Sequence, residues 1–252
     1  MCMHTYNLVM PREPRIDIIT PYTRARYLDE TYDSILEQND VRWRWLIQAD
    51  GDPPTLPGRI GSDERVSYQV NSGAYGPALT RNHALMRSTA PFVFALDDDD
   101  LLYPGALSAL ASALEQVRTL ECYGAWGETY SFTKGSGRAL LSSSRVTGIL
   151  PAGSIADPFL AGEGLRLHCG SVLWRRAHLI AFGGWTGLRH SEDTNLVIAC
   201  DALFPSVYVP IPVYGYRCGH EVRESARVEF TEGSASRHNF TRRRAQMLRI
   251  LF

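Results

Sequence analysis

Pro91-Phe92-Val93-Phe94-Ala95-Leu96-Asp97-Asp98-Asp99-Asp100 decides how the rest of this chain is read. Phe92 to Leu96 has the length and composition of a buried strand. The four adjacent carboxylates behind it repel one another, which is costly at the end of such a strand. A divalent cation removes that cost, and hard cations such as Mg²⁺ or Mn²⁺ take carboxylate oxygen. In an open α/β sheet, the carboxyl end of a strand is also where ligands bind. The bland alternative is a solvated acidic turn, with Asp100 capping the helix that follows.

Working outward, the same strand-then-polar-end pattern recurs. Ile16-Asp17-Ile18-Ile19-Thr20 reads as a first strand that breaks at Pro21, followed by helical periodicity from about Tyr27 to Gln38. Trp43 to Ala49 reads as a second strand ending in Asp50-Gly51-Asp52, where Asp52 is a turn former. Pro53 to Gly58 holds three prolines and excludes regular structure. Val66 to Val70 is a third, alternating strand. A helix follows Gly76-Pro77, with Pro77 at a tolerated first-turn position. Another helix spans roughly Pro104 to Thr119. This β-α-β-β-α-β order predicts an α/β fold, with a mixed, mainly parallel sheet flanked by helices.

The second half is less regular. Strands are expected at Tyr123–Phe132, Leu167–Trp174 and Val207–Val213, and a flexible Gly/Ser-rich loop at Lys134–Arg145. The tail from Arg237 to Phe252 reads as a basic helix carrying Phe240, Met247, Leu248, Ile250 and Leu251. Such a helix either packs on the domain or a partner subunit, which leaves a homodimer open, or touches an anionic membrane surface.

Composition excludes several classes. With 252 residues, 44% hydrophobic and 21% charged, the chain fits one large domain of ordinary globular make-up. A net charge of −1 gives no reason to expect a nucleic-acid partner. No apolar run has membrane-spanning length. Met1 to Tyr6 lacks the pattern of a secretion signal, and residues 1–14 read as a loose leader. Cys2, Cys122, Cys169, Cys200 and Cys218 are scattered, with no Cys-x-x-Cys pair, which argues against a structural zinc site or a disulfide framework. A cytoplasmic location is expected.

Seven landmarks stand in a fixed order: Thr20-Pro21-Tyr22, Asp50-Gly51-Asp52, Gly76-Pro77-Ala78-Leu79-Thr80-Arg81-Asn82, Leu96 to Asp100, Gly183-Gly184-Trp185, Ser191-Glu192-Asp193 and Tyr216-Arg217-Cys218-Gly219-His220. Together they resemble the inverting glycosyltransferases of the GT-A fold, family two, over about residues 15–220. The resemblance implies a GT-A, Rossmann-like fold and a nucleoside-diphosphate-sugar donor built on UDP, GDP or TDP. It divides the chain into a nucleotide-sugar-binding half (15–103), an acceptor and catalytic half (104–222) and a basic helical tail (223–252). Asp97 and Asp99 match the ends of the family's Asp-x-Asp. Asp99 is then the direct ligand of Mn²⁺ or Mg²⁺, and Asp97 faces the ribose or a metal-bound water. Asp98 fills the variable position at the nucleotide, and Asp100 holds the following loop.

Pro21, Tyr22 and Arg24 lie where the family holds the nucleotide. Tyr22 either packs on the base or is a plain strand-edge aromatic. Asp50 matches the residue that binds the base. Gly76 lets the backbone approach a ligand, Arg81 reaches the diphosphate or holds the acid cluster, and Asn82 fixes the loop. Glu192-Asp193 matches the family's acidic pair. Inversion needs a carboxylate to take the proton of the attacking hydroxyl, and Asp193 is the expected base with Glu192 second. Ser191 also precedes these acids as a helix cap would. His190 sits beside the pair. His220 resembles the histidine of the family's Tyr-Arg-x-His segment and would complete the metal shell or contact the diphosphate, while Arg217, Arg223 and Arg227 are candidate diphosphate clamps. Trp185 is either a sugar platform or a core tryptophan.

The function expected is metal-dependent glycosyl transfer with inversion to a small soluble acceptor. Two alternatives use the same scaffold. A nucleotide-sugar mutase would interconvert pyranose and furanose rings without an acceptor, and a non-catalytic subunit would only bind the nucleotide sugar.

Overall fold

Strand β1 (Ile16–Tyr22) runs between two parallel neighbours, β2 (Trp43–Ala49) and β4 (Phe92–Ala95). A strand so placed is covered on both faces and reads as a nearly continuous apolar run. The exception, Asp17, is fully buried and satisfied: the Arg44 guanidinium donates to it at 2.9 and 3.1 Å, and the Thr89 and Ala90 amides at 2.8 and 2.9 Å. Pro21 does not end β1, as had been expected, but pairs in register with Gln48. Leu96 N–H donates to the Ile19 carbonyl on the β4 side, and Asp50 N–H to the Tyr22 carbonyl on the β2 side. By this alternation Pro21 faces the β4 side beyond the last paired residue, where its missing N–H costs no ladder bond.

A computed structural model describes residues 15–117, 121–133, 138–219 and 233–251; the expected leader, His220, Arg223 and Arg227 lie outside the described residues. The remaining strands are β3 (Val66–Val70), β5 (Leu101–Leu102), β6 (Gly124–Phe132), β7 (Ala139–Ser142), β8 (Gly148–Leu150), β9 (Val172–Arg175) and β10 (Ser206–Arg217). Among the described residues they form one sheet in the order β3-β2-β1-β4-β9-β6-β10-β5, with β7 beside β6 and β8 beside β10. From β3 to β4 the pairing is parallel. Strand β9 then enters antiparallel between β4 and β6, and β6 pairs parallel with β10.

Period-two alternation sends successive side chains to two cores. Ile18, Trp45, Ile47, Phe92 and Phe94 pack under α1 (Leu28–Leu36) and α4 (Ala106–Gln116). Ile19, Leu46, Val93, Trp126 and Trp174 face α3 (Pro77–Arg87), α7 (Glu192–Asp201) and the C-terminal helix (Ser234–Leu251). The shorter helices are α2 (Gly58–Gly61), α5 (Ala156–Leu160) and α6 (Arg176–Ala181).

Two further expectations are corrected. The segment expected as a loop at Lys134–Arg145 contains β7, which pairs antiparallel with β6. Its Leu140 and Leu141 are both half-exposed, so no alternation marked it in the sequence. The strand expected from Leu167 begins only at Val172, because Cys169–Ser171 form a 3₁₀ turn. Among the described residues no helix is long and apolar enough to cross a membrane.

Candidate active site

A cleft of about 670 Å³ opens at the carboxyl ends of β1, β2 and β4, closed on its far side by the start of α7 and the turn before β9. It gathers residues distant in sequence: Pro21 and Arg24, Asp50, Gly76 and Arg81, Asp97 to Asp99, and Trp185 with Glu192 and Asp193.

The four aspartates divide their work. Asp98 is 3% exposed and turns toward the end of β1, where one carboxylate oxygen accepts the Thr23 amide at 2.8 Å and the Arg24 amide at 3.0 Å. Burial pushes its carboxyl up to about 6, against the pull of those amides and of Arg24. Asp100 is fully buried, taking the Tyr214 hydroxyl at 2.8 Å and the Arg217 amide at 2.8 Å. Asp97 and Asp99 border the cleft. Asp99 has the Arg24 guanidinium 3.6 Å away, and Asp97 accepts from Arg81 at 2.7 Å.

Arg81 joins this cluster to the second acidic pair. Its other terminal nitrogen donates to Glu192 at 2.5 Å. Burial alone would lower its pKa, but Asp97, Glu192 and Asp193 outweigh that and raise it above the ordinary value. Glu192 is itself buried. Burial, then Asp193, push its carboxyl up to about 7, while Arg81 opposes the rise. Asp193 is less covered, lines the cleft and accepts its neighbour Thr194's amide at 2.6 Å. The residue before the pair, Ser191, has φ of 62°, the left-handed region that a serine seldom adopts. That turn aims the first residues of α7 at the cleft, and it stores strain of about 1–3 kcal/mol.

The loop beyond the end of β2 is held by Asp50. Its carboxylate accepts Tyr75 N–H and Gly76 N–H at 2.8 Å and Asn71 Nδ2 at 3.0 Å. Burial raises its pKa, yet these donors and Thr80 together bring it below the ordinary range. Gly76 stands at φ of 81°, outside the range of a residue with a side chain, and starts α3 with its amide already bound to Asp50. Asn82 clasps the Trp185 backbone, donating to its carbonyl at 2.8 Å and accepting its amide at 2.9 Å. Trp185 is 3% exposed, so only an edge reaches the cleft.

Two expected site residues are elsewhere. Tyr22 is fully buried in the core under α1, edge-on to Tyr68, because successive residues of β1 alternate faces. It does not border the cleft. Arg217 lies behind the acid cluster, where it donates to the Asp99 carbonyl at 2.7 Å and to Glu30 at 2.8 Å and stacks on Tyr27. It braces the cluster and does not border the cleft. Asp98, expected at the nucleotide, does line the cleft, with one of its carboxylate oxygens taken by the Thr23 and Arg24 amides.

Other cleft residues carried no sequence signal. His168, Cys169 and Gly170 form its floor. A Cβ on Gly170 would stand 2.6 Å from the Tyr214 ring, so only glycine lets this turn lie flat on the tyrosine that holds Asp100. Thr23 and Arg189 complete the rim.

The donor set suits a hard cation. Mg²⁺ is usually held by one or two carboxylates plus substrate phosphates, with water filling the shell. Asp97 and Asp99 border the cleft as such a pair, while Asp98 and Asp100 are bound to backbone amides. Among the described residues no group of three His, Cys, Asp or Glu is arranged as a protein-only cage.

Known proteins resemble this chain in sequence and fold. The family model described as Glycosyl transferase family 2 matches residues 18–161, more than half of the chain. The putative teichuronic acid biosynthesis glycosyltransferase TuaG of Bacillus subtilis (strain 168) is 33% identical over 93 residues, 35% of this chain and 37% of that protein. The putative glycosyltransferase EpsE of the same organism is 24% identical over 194 residues, 73% of this chain and 65% of EpsE. The chain therefore spans less than two thirds of the length of these relatives. Among solved structures, S. aureus TarS 1–349 in complex with UDP-GlcNAc superposes with a TM-score of 0.70 at 14% identity, over 84% of this chain and 61% of that one. Its complex with UDP gives 0.65 at 15%, over 81% and 61%. That likeness shows the fold, which is GT-A.

Proposed function

The chain belongs to glycosyl transferase family 2, and on that premise we propose that it moves a sugar from a nucleoside-diphosphate sugar to an acceptor hydroxyl, with inversion and with Mn²⁺ or Mg²⁺. The observation that carries this reading is the single cleft in which Asp97 and Asp99 face Glu192 and Asp193, with Arg81 between. Residues 15–103 serve the donor and 104–222 the acceptor and the chemistry. Asp99 and Asp97 would hold the cation. Bound there, it supplies Lewis-acid stabilisation of the leaving diphosphate.

The chain's own residues do the rest. Asp193 takes the acceptor proton as the hydroxyl attacks the anomeric carbon from the face opposite the diphosphate. Glu192, bound to Arg81, holds the start of α7 in place. Arg24 lines the same cleft beside Asp98 and Asp99 and lends positive charge to the donor's phosphates. Asp50 keeps the Asn71–Gly76 loop at the nucleotide. TarS was solved with UDP-GlcNAc and with UDP, which makes uridine sugars the first donors to try. Chain length says nothing about the acceptor, because only part of the relatives is spanned.

The test is incubation with UDP-, GDP- and TDP-sugars and Mn²⁺, in the presence and absence of hydroxyl acceptors, followed by product analysis. Release of nucleoside diphosphate with a β-for-α or α-for-β change at the anomeric carbon supports the reading. Isomerised donor without acceptor would mean a mutase. Nucleotide binding with no turnover of any donor would mean a binding subunit.

A further inference from the structure

The C-terminal helix is built the wrong way round for a helix that only packs on its own domain. Ser234–Leu251 buries Thr241 and Ala245 against the body of the protein, half-buries Leu248, and leaves Phe240, Met247, Ile250 and Leu251 exposed. Phe240 is 47% exposed, Met247 61% and Ile250 83%. At helical spacing these residues lie on one side, with exposed Arg243 among them. The helix is nonetheless firmly seated. Asn195 of α7 donates to Thr241 at 3.0 Å, Arg244 donates to Asn195 and to the Phe182 carbonyl, and Arg249 reaches the Ala202 carbonyl at 3.2 Å and Asp157 at 2.5 Å. The outward stripe is therefore a fixed feature of the surface.

Charge narrows what such a stripe fits. Residues 234–251 carry Arg237, His238, Arg242, Arg243, Arg244 and Arg249 and no acidic residue, in a chain whose net charge is −1. A second copy of this helix would bring like charges together. An anionic lipid surface supplies both an apolar layer and negative headgroups, and each arginine near it contributes about 1 kcal/mol. We propose that the outer face of this helix docks the protein on a membrane surface rich in anionic lipid. Phe240, Met247 and Ile250 enter the headgroup region, and Arg243 meets the headgroups.

The test is co-sedimentation of the full chain with vesicles of phosphatidylcholine alone and of phosphatidylcholine with phosphatidylglycerol, at low and high salt. Binding to the anionic vesicles is expected about tenfold or more above binding to the neutral ones, falling with salt. Arg243→Gln should lower it about fivefold. The double variant Phe240→Ser, Met247→Ser changes only exposed side chains, so its melting temperature and nucleotide binding should match the parent while its vesicle binding is lost. Equal binding to both vesicles, no binding to either, or unaltered binding by the double variant overturns the proposal. So does a concentration-dependent dimer that the double variant abolishes, found without vesicle binding.

Discussion

The two acidic clusters solve the same electrostatic problem by different means. At the end of β4, Asp98 and Asp100 are held by backbone amides and a tyrosine hydroxyl, which leaves Asp97 and Asp99 at the cleft. At the start of α7, Glu192 is held by one guanidinium, which leaves Asp193 at the cleft. In each cluster, anchoring some of the carboxylates fixes the positions of their neighbours. The strand cluster draws on many donors that no single substitution removes. The helix pair depends on Arg81, with the amide-rich end of α7 adding a smaller attraction for negative charge. The strand cluster should therefore tolerate single changes that the helix pair does not.

The largest effect is expected where only the chemistry is touched. Asp193→Asn should keep nucleotide binding and lower turnover by about 10²–10⁴-fold, the usual contribution of a general base. Turnover within a few-fold of the parent would remove the distinction drawn between Asp193 and Glu192. Next comes the shared guanidinium. Arg81→Met leaves Asp97 and Glu192 facing each other without their cation, and urea unfolding should register a loss of about 3–5 kcal/mol. A loss under about 1 kcal/mol would mean that Arg81 does not join the clusters. Asp98→Ala should cost less, about 1–3 kcal/mol, because it orphans the Thr23 and Arg24 amides at a site where water can partly replace the carboxylate.

The smallest effect uses Asp201 as a control away from the cleft. It is buried at the far end of α7 and accepts the Ile155 and Ala156 amides at 2.8 and 2.7 Å. Burial pushes its carboxyl up to about 6 against those amides. The folded protein therefore binds this proton more tightly than the unfolded chain. The resulting stability is fully present below about pH 4 and is lost as pH rises through about 6. Asp201→Asn should flatten the fall in unfolding free energy between those values, by on the order of 1–2 kcal/mol in urea titrations. An unchanged pH profile would show that Asp201 stays ionised throughout.

Much of this was legible in the sequence because it depends on local pattern. Strands β2 and β3 have the boundaries read from Trp43–Ala49 and Val66–Val70, since apolar period and turn residues set them. The cleft's two acidic clusters stood out as consecutive carboxylates beside an apolar run and a serine. What was not legible depends on which way a side chain turns or on what lies across the sheet. Tyr22 and Pro21 are adjacent, yet only Pro21 borders the cleft, because strand alternation sends the tyrosine into the core. Arg217 looked like a phosphate clamp until Tyr27 and Glu30, nearly the whole chain away, were seen to hold it. The floor at His168–Gly170 has no motif of its own and is recognisable only through its packing on Tyr214.

The central claim is that Asp99 and Asp97, left at the cleft by their neighbours, bind a nucleoside diphosphate through a divalent cation. Calorimetric titration of UDP, and of GDP and TDP in turn, with and without Mn²⁺, tests it most directly when run on the parent and on Asp99→Asn. The account predicts that one nucleotide binds the parent only with Mn²⁺, and that Asp99→Asn weakens that binding about 100-fold or abolishes it. Affinity that is the same with and without Mn²⁺, or unchanged in Asp99→Asn, would contradict it.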